Sequence, residues 1–283
     1  MPRHSTGKDG PGWVWDSIPI EGQTLYFRRN DTSGDHRFDD HEPIVHLHGF
    51  GISGTYLMPT ARRLAGRCLN IVPDLPGYGR SPHPRGAALG ITTLADRVMA
   101  LIQTLELPKV VLLGNSMGCP IALEVAHRAT ELVSRLILVS PAGGVHNQPL
   151  TRALGQLVRD GTRERPSMAR VAVPDYVRFG PINMLHLFGE LTRFPSMERL
   201  LRTPVPTLAV LGDRDPLMPP PHRVREVASL APDYVSVVVI GGAAHALNFS
   251  HPGELAHVVG QWLDGEDITH DPDEPGATLV PAM

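Results

Sequence analysis

Lysine is almost missing from these 283 residues: Lys8 and Lys109 are the only two, and arginine carries the remaining positive charge. No basic block is longer than Arg28-Arg29 or Arg62-Arg63, and the formal net charge is −3. That balance argues against nucleic acid as a partner. Cysteine is equally scarce. Cys68 and Cys119 are too few for a disulfide framework, and both are expected to be reduced core residues. No apolar run reaches the roughly 18 residues that a membrane-spanning helix needs. The opening stretch from Met1 to Gly12 has no apolar core of the secretory kind, so a cytoplasmic location is expected.

What the chain does contain is organised around residues 110–128. The aliphatic run Val110-Val-Leu-Leu113 ends at Gly114-Asn-Ser-Met-Gly118, and a helical pattern follows at once. Such a run reads as a strand buried on both faces, as in a parallel sheet. A Gly-x-Ser-x-Gly between strand and helix holds its serine on a tight, strained turn, with the hydroxyl exposed above the sheet. The helix N-terminus then sets backbone N–H groups beside Ser116.

Along the rest of the chain, Trp13–Ile20 and Thr24–Arg29 read as an antiparallel hairpin. Further strands are expected at residues 43–48, 68–73, 132–140, 206–211 and 235–240. Helices are expected at 56–64, 94–105 and 254–263. This alternation implies a mostly parallel, doubly wound α/β sheet of about eight strands. Between residues 145 and 201 the strands stop, and helical patterns appear around Leu150–Arg159, Ile182–Phe194 and Met197–Arg202. An insertion of that length reads as a lid over a site. The core is therefore 13–144 with 202–264, and 145–201 is the lid. Residues 1–12 and the acidic 265–283 are expected to be disordered tails.

A nucleophilic serine needs an acid, a base and donors for an oxyanion. His46-Leu-His-Gly-Phe-Gly-Ile-Ser-Gly54 follows a strand and supplies a glycine-rich loop, whose Phe50 N–H joins that of Met117 as the expected oxyanion donors. His48 is expected to pin this loop, because nothing in the residues just after it completes a metal set. The acid follows the strand at 206–211, where Asp213 and Asp215 both qualify. The base is His245, in Gly241-Gly-Ala-Ala-His-Ala-Leu-Asn248 after the last strand.

These motifs resemble those of the α/β-hydrolase superfamily. The resemblance rests on His48-Gly-Phe-Gly51, Asp74-Leu-Pro-Gly-Tyr-Gly-Arg-Ser81, Gly114-Asn-Ser-Met-Gly118, Gly212-Asp-Arg-Asp215 and Ala244-His245, and it spans nearly all of residues 13–264. It implies the α/β-hydrolase fold and selects Asp215 over Asp213 as the acid. Asn115-Ser116-Met117 further resembles the meta-cleavage-product hydrolases, in which the equivalent Asn helps position substrate and a lid arginine binds its acidic end. Arg163, Arg165, Arg170 and Arg178 are the candidates for that arginine. The family commonly carries Trp after the catalytic histidine, where this chain has Ala246. The resemblance thus implies a serine hydrolase for a small ester or lactone, with carbon–carbon bond hydrolysis or a non-catalytic receptor as alternatives. No metal or cofactor is expected, the expected partner is a small molecule, and the protein is expected to be a monomer or homodimer. Met168, Tyr176, Met184, Leu187 and Phe188 are the candidate substrate-lining residues of the lid.

Overall fold

The first strands form an antiparallel edge. Two-residue β1 (Gly7–Lys8) pairs with β2 (Trp13–Ile20), and β2 returns as β3 (Gln23–Asn30) through Glu21 and Gly22, both at positive φ. Two successive positive-φ residues match the twist of a two-residue hairpin. The structure is a computed structural model that describes residues 7–31, 41–83, 88–142, 155, 159, 161–217 and 228–280. Next come β4 (Ile44–Leu47), α1 (Met58–Leu64), β5 (Asn70–Asp74), α2 (Ile91–Thr104), β6 (Val110–Asn115), α3 (Gly118–Arg128) and β7 (Val133–Val139). Helices α4 (Ala169–Phe179), α5 (Pro181–Leu191) and α6 (Ser196–Arg202) precede β8 (Thr207–Gly212) and β9 (Val235–Ile240). The chain ends with α7 (Leu247–Ser250), α8 (Pro252–Asp264) and β10 (Thr278–Leu279).

Among the described residues the sheet runs β1-β2-β3-β5-β4-β6-β7-β8-β9-β10. Strands β5, β4, β6, β7, β8 and β9 are mutually parallel. Alternation within each strand divides side chains between two cores. Val110 and Leu112 of β6 join Leu136 and Leu138 of β7 under α2 and α3, while Val111, Leu113, Ile137 and Val139 join Leu255 and Val258 of α8. Each such fully buried aliphatic side chain contributes about 1.5–3 kcal/mol relative to exposure, so burial holds a helical layer on each face of the sheet. Helix α8 begins at Pro252, which needs no N–H partner there, and ends at Gly265 in the left-handed region.

The chain leaves β4 toward β5 on one side and later returns to β6 on the other. Such a reversal opens a crevice at the carboxyl ends of the strands. Leu47 of β4 is in register with Gly114 of β6, so the segments that follow these two strands emerge side by side.

The edge of this crevice is braced by Asp74. Its Oδ1 accepts from Arg28 Nη1 at 3.1 Å and from the Gly54 N–H at 3.0 Å, and its Oδ2 from the Arg80 N–H at 3.0 Å. The Arg28 and Arg80 guanidinium groups lie over the Trp15 ring, 3.7 and 4.0 Å from the centre of its π system.

Several expectations are corrected. Residues 7–12 and 265–280 do not form free tails. Lys8 and Gly7 extend the sheet, Asp9 pairs with Arg28 and Arg62, and β10 pairs antiparallel with β9. Glu254, fully buried on α8, accepts from His270 Nδ1, the Asp271 N–H and the Thr278 hydroxyl, so polar contacts order a segment with little apolar surface. Helices α4 and α7 were not expected. The helix expected at Leu150–Arg159 lies, apart from residues 155 and 159, outside the described residues. Both cysteines are buried and free, and burial pushes the Cys68 thiol up to about 12.

Candidate functional site

Ser116 links β6 to α3 at φ +55°, a region costly for any residue with a side chain. The turn persists because its surroundings fix it. The Ser116 N–H donates to Val139 O at 3.0 Å, and Ser116 O accepts from the Cys119 N–H at 3.0 Å. A β-carbon at Gly118 would stand 2.1 Å from Leu47 O, so α3 starts this close to β4 only because that position is glycine.

Asp215 and His245 follow the neighbouring strands β8 and β9. His245 Nδ1 donates to Asp215 Oδ2 at 2.7 Å, and the Leu217 N–H donates to Asp215 Oδ1 at 2.8 Å. Burial alone would raise the Asp215 carboxyl. The His245 charge and hydrogen bond, with help from Leu217 and Ser140, overcome that and hold it below the usual carboxylate value. Asp213 acts elsewhere: its Oδ1 accepts the Gly242 N–H at 2.7 Å and so ties the turn after β9.

Asn115 joins these loops to the serine turn. Its Nδ2 donates to Val139 O at 3.0 Å and to His245 O at 3.3 Å, while its Oδ1 accepts from the Tyr56 hydroxyl at 2.6 Å. Tyr56 in turn accepts the Gly49 N–H at 2.7 Å. Burial holds the Tyr56 phenol far above its ordinary value, so it stays neutral and serves both partners. One buried chain of hydrogen bonds thus runs from the loop after β4, through Tyr56 and Asn115, to the main chain of His245. Gly49 faces the serine directly: a β-carbon there would lie 3.3 Å from Ser116 Cβ.

Next to Gly49, His48 is an internal strut. Its Nδ1–H donates to Gly49 O at 3.0 Å, and its Nε2 accepts the Leu75 N–H at 3.0 Å, which fixes the tautomer. Burial lowers its pKa, so both ring nitrogens are committed in the neutral form. His46 is likewise buried, with Nε2 bonded to Asn70 Oδ1 at 2.8 Å and its pKa lowered to about 4. Tyr78 stacks on Phe179 and tilts against His48, both at 4.7 Å between ring centres, and its hydroxyl meets Met117 Sδ at 3.7 Å. Phe50 packs on Phe188 at 5.3 Å and on Phe179 at 6.0 Å. Among the described residues, the N–H groups of Phe50 and Met117 have no acceptor within the protein.

The insertion helices supply the outer wall. Tyr176 lies over Gly51, Met168 packs with Ile52, Tyr56 and Ala246, and Phe188 meets Phe50. Leu187 is fully buried and Met184 partly so, both as core packing. Arg163, Arg165, Arg170 and Arg178 are all exposed. Arg163 Nη1 donates to Arg214 O at 2.6 Å and Arg178 Nη1 to Gly79 O at 3.3 Å, both as exposed contacts. Two acids of the insertion turn inward instead. Asp175 Oδ2 accepts the Ser53 N–H at 2.8 Å, and Glu164 Oε1 accepts the Ala246 N–H at 2.6 Å. Helix α6 is anchored to α3 by Arg199 Nε donating to buried Glu124 at 2.8 Å. The sequence reading did not find Tyr56, Asp175 or Glu164, because no spacing rule links them to the loops they bind.

A family model described as "Alpha/beta hydrolase family" matches residues 44–258. Over 102 residues the chain is 38% identical to an uncharacterized protein of Mycobacterium tuberculosis, a match spanning 36% of this chain and 29% of that one. Longer matches include a pimeloyl-[acyl-carrier protein] methyl ester esterase of Aeromonas salmonicida, 27% identical over 79% of this chain and 96% of the other. A 2-hydroxymuconate semialdehyde hydrolase of Pseudomonas is 26% identical over 80% and 88%. Among solved structures, a membrane phospholipase A described as a bacterial virulence factor superposes with a TM-score of 0.76. That match has 23% identity and covers 90% of this chain and 86% of the other.

Proposed function

Since this chain belongs to the alpha/beta hydrolase family, we propose that it is a serine hydrolase for small esters or lactones, with Ser116, His245 and Asp215 as its triad. The observation that carries the reading is the 2.7 Å His245–Asp215 bond, on a loop tied through Asn115 to the strained serine turn. With Nδ1 bonded to Asp215, Nε2 is the ring nitrogen assigned to take the serine proton.

In the first step Ser116 Oγ bonds to the substrate carbonyl carbon as His245 Nε2 takes its proton. The carbonyl electrons move onto the oxygen, which the N–H groups of Phe50 and Met117 receive. Asp215, kept ionised, stabilises the imidazolium without taking its proton. Collapse expels the alcohol oxygen, which leaves with the proton from His245. Water then repeats the sequence on the acyl-enzyme, releasing the acid and restoring Ser116. The insertion with helices α4–α6 acts as the lid, and its Tyr176, Met168 and Phe188 pack against the loop after β4.

A carbon–carbon hydrolase of meta-cleavage type is the second reading, favoured by Asn115 before the serine and by the similarity to 2-hydroxymuconate semialdehyde hydrolase. The exposure of all four lid arginines and the small Ala246 weigh toward esters. Fluorophosphonate labelling tests the nucleophile, and turnover of p-nitrophenyl acetate beside a dienoate diketone tests the reaction. Ser116→Ala is expected to abolish labelling and to cut turnover by at least about 10⁴-fold. A folded protein that resists labelling and turns over neither substrate would favour a receptor on the same fold.

A further inference from the structure

The peptide unit joining His245 to Ala246 is held at both of its polar ends by groups from different parts of the site. Its carbonyl accepts from Asn115 Nδ2 at 3.3 Å, on the residue before the nucleophile. Its N–H donates to Glu164 Oε1 at 2.6 Å, on the insertion 82 residues earlier in the chain. In a planar trans peptide these two groups point in opposite directions. The plane that carries the base is therefore strung between the serine turn and the lid. Ala246 makes this possible, since its small side chain leaves room for Met168 to pack beside it in the same apolar cluster as Tyr56 and Ile52. A second lid carboxylate repeats the device on the facing loop, where Asp175 takes the Ser53 N–H at 2.8 Å.

We propose that Glu164 is a positioning residue for His245: the seated lid fixes the peptide plane of the base, so that the imidazole is aligned for Ser116 only while Glu164 grips Ala246. This rests on the serine-hydrolase reading for its kinetic consequence, but not for the contact itself. A base must be held within about 0.5 Å and 10–20° to act well, and a displacement of 1 Å costs about 100-fold in rate. Reach, not charge alone, is what the contact needs. Glutamine keeps an acceptor oxygen at the same distance along the side chain, whereas aspartate keeps the charge and falls one methylene short.

The test compares Glu164→Gln, Glu164→Asp and Glu164→Ala in the full chain by p-nitrophenyl acetate kinetics and by hydrogen exchange of the segment 241–250. We expect Ala and Asp to lose about 10- to 100-fold in kcat with KM within about threefold, and Gln to restore most of that loss. Exchange at the Ala246 amide should speed up in Ala and Asp and stay slow in Gln. Unchanged kcat in all three variants, a change in KM alone, or Asp outperforming Gln would overturn the proposal. If the alanine variant does not fold, the Gln–Asp comparison decides. A wild type that neither labels at Ser116 nor turns over sinks the hydrolase reading instead. The exchange measurement then still decides whether Glu164 holds the 245–246 peptide, and unaltered exchange in the Asp variant would overturn that as well.

Discussion

Tyr56 carries more of the site than its place in the sequence announces. Its hydroxyl is the shared partner of the Gly49 N–H and Asn115 Oδ1, both buried. Tyr56→Phe leaves a donor and an acceptor without water or protein, which costs about 2–4 kcal/mol. Urea unfolding should report that loss, and kcat should fall with it because Asn115 is no longer tied to the loop after β4. His46 makes a pH prediction. Burial, opposed by its bond to Asn70, lowers its folded-state pKa to about 4, against 6.5 in the unfolded chain. The neutral ring is the form the fold accepts. Its contribution is therefore complete above about pH 6.5, declines as the unfolded chain takes up a proton between 6.5 and 4, and levels off below 4. The span is about 3 kcal/mol. The difference in unfolding free energy between wild type and His46→Gln, measured at pH 7 and pH 4.5, should show this slope. Ser116 and His245 stood out in the sequence because each sits in a short local pattern after a strand. Tyr56, Asp175 and Glu164 did not, because they meet partners 59, 122 and 82 residues away, and only tertiary packing supplies that proximity.

Among the elements, those with a strong apolar period were readable and the others were not. The strand at Val235–Ile240 has the expected bounds, and the turn at Ser116 falls between strand and helix as its glycines imply. Helix α4 escaped because Pro174 interrupts it and only Phe179 is fully buried, while Val173 and Val177 face solvent. Strand β10 escaped for another reason: it is two residues long, and the segment leading to it is held by polar bonds to Glu254, which leave no hydrophobic pattern. A chain ending at residue 264 should lose about 1–3 kcal/mol, since Glu254 trades three fixed donors for water and β9 regains an open edge. Differential scanning calorimetry should place its melting temperature about 5 °C lower. An unchanged melting curve would mean that this segment only decorates the sheet.

For the molecule as a whole, the class of fold was open to reading because strands alternate with helices and because buried runs such as Val110–Leu113 have no polar face. The eight longer strands, β2 to β9, are the ones that the pattern implies. The order in which they lie could not be read, since register and neighbour choice are decided by the two cores and not by any one strand. That order is what gathers the loops after β4, β6, β8 and β9 at one end of the sheet.

Trp15 gives that end of the sheet an optical gauge. Its indole is gripped by Arg28 of the hairpin and by Arg80 of the loop after β5, the same loop whose Tyr78 props Met117 beside the serine turn. In a background carrying Trp13→Phe and Trp262→Phe, its emission should move to longer wavelength in Arg80→Ala at temperatures where far-ultraviolet circular dichroism is unaltered. Loosening of the prop would then be visible as a colour change before any helix melts.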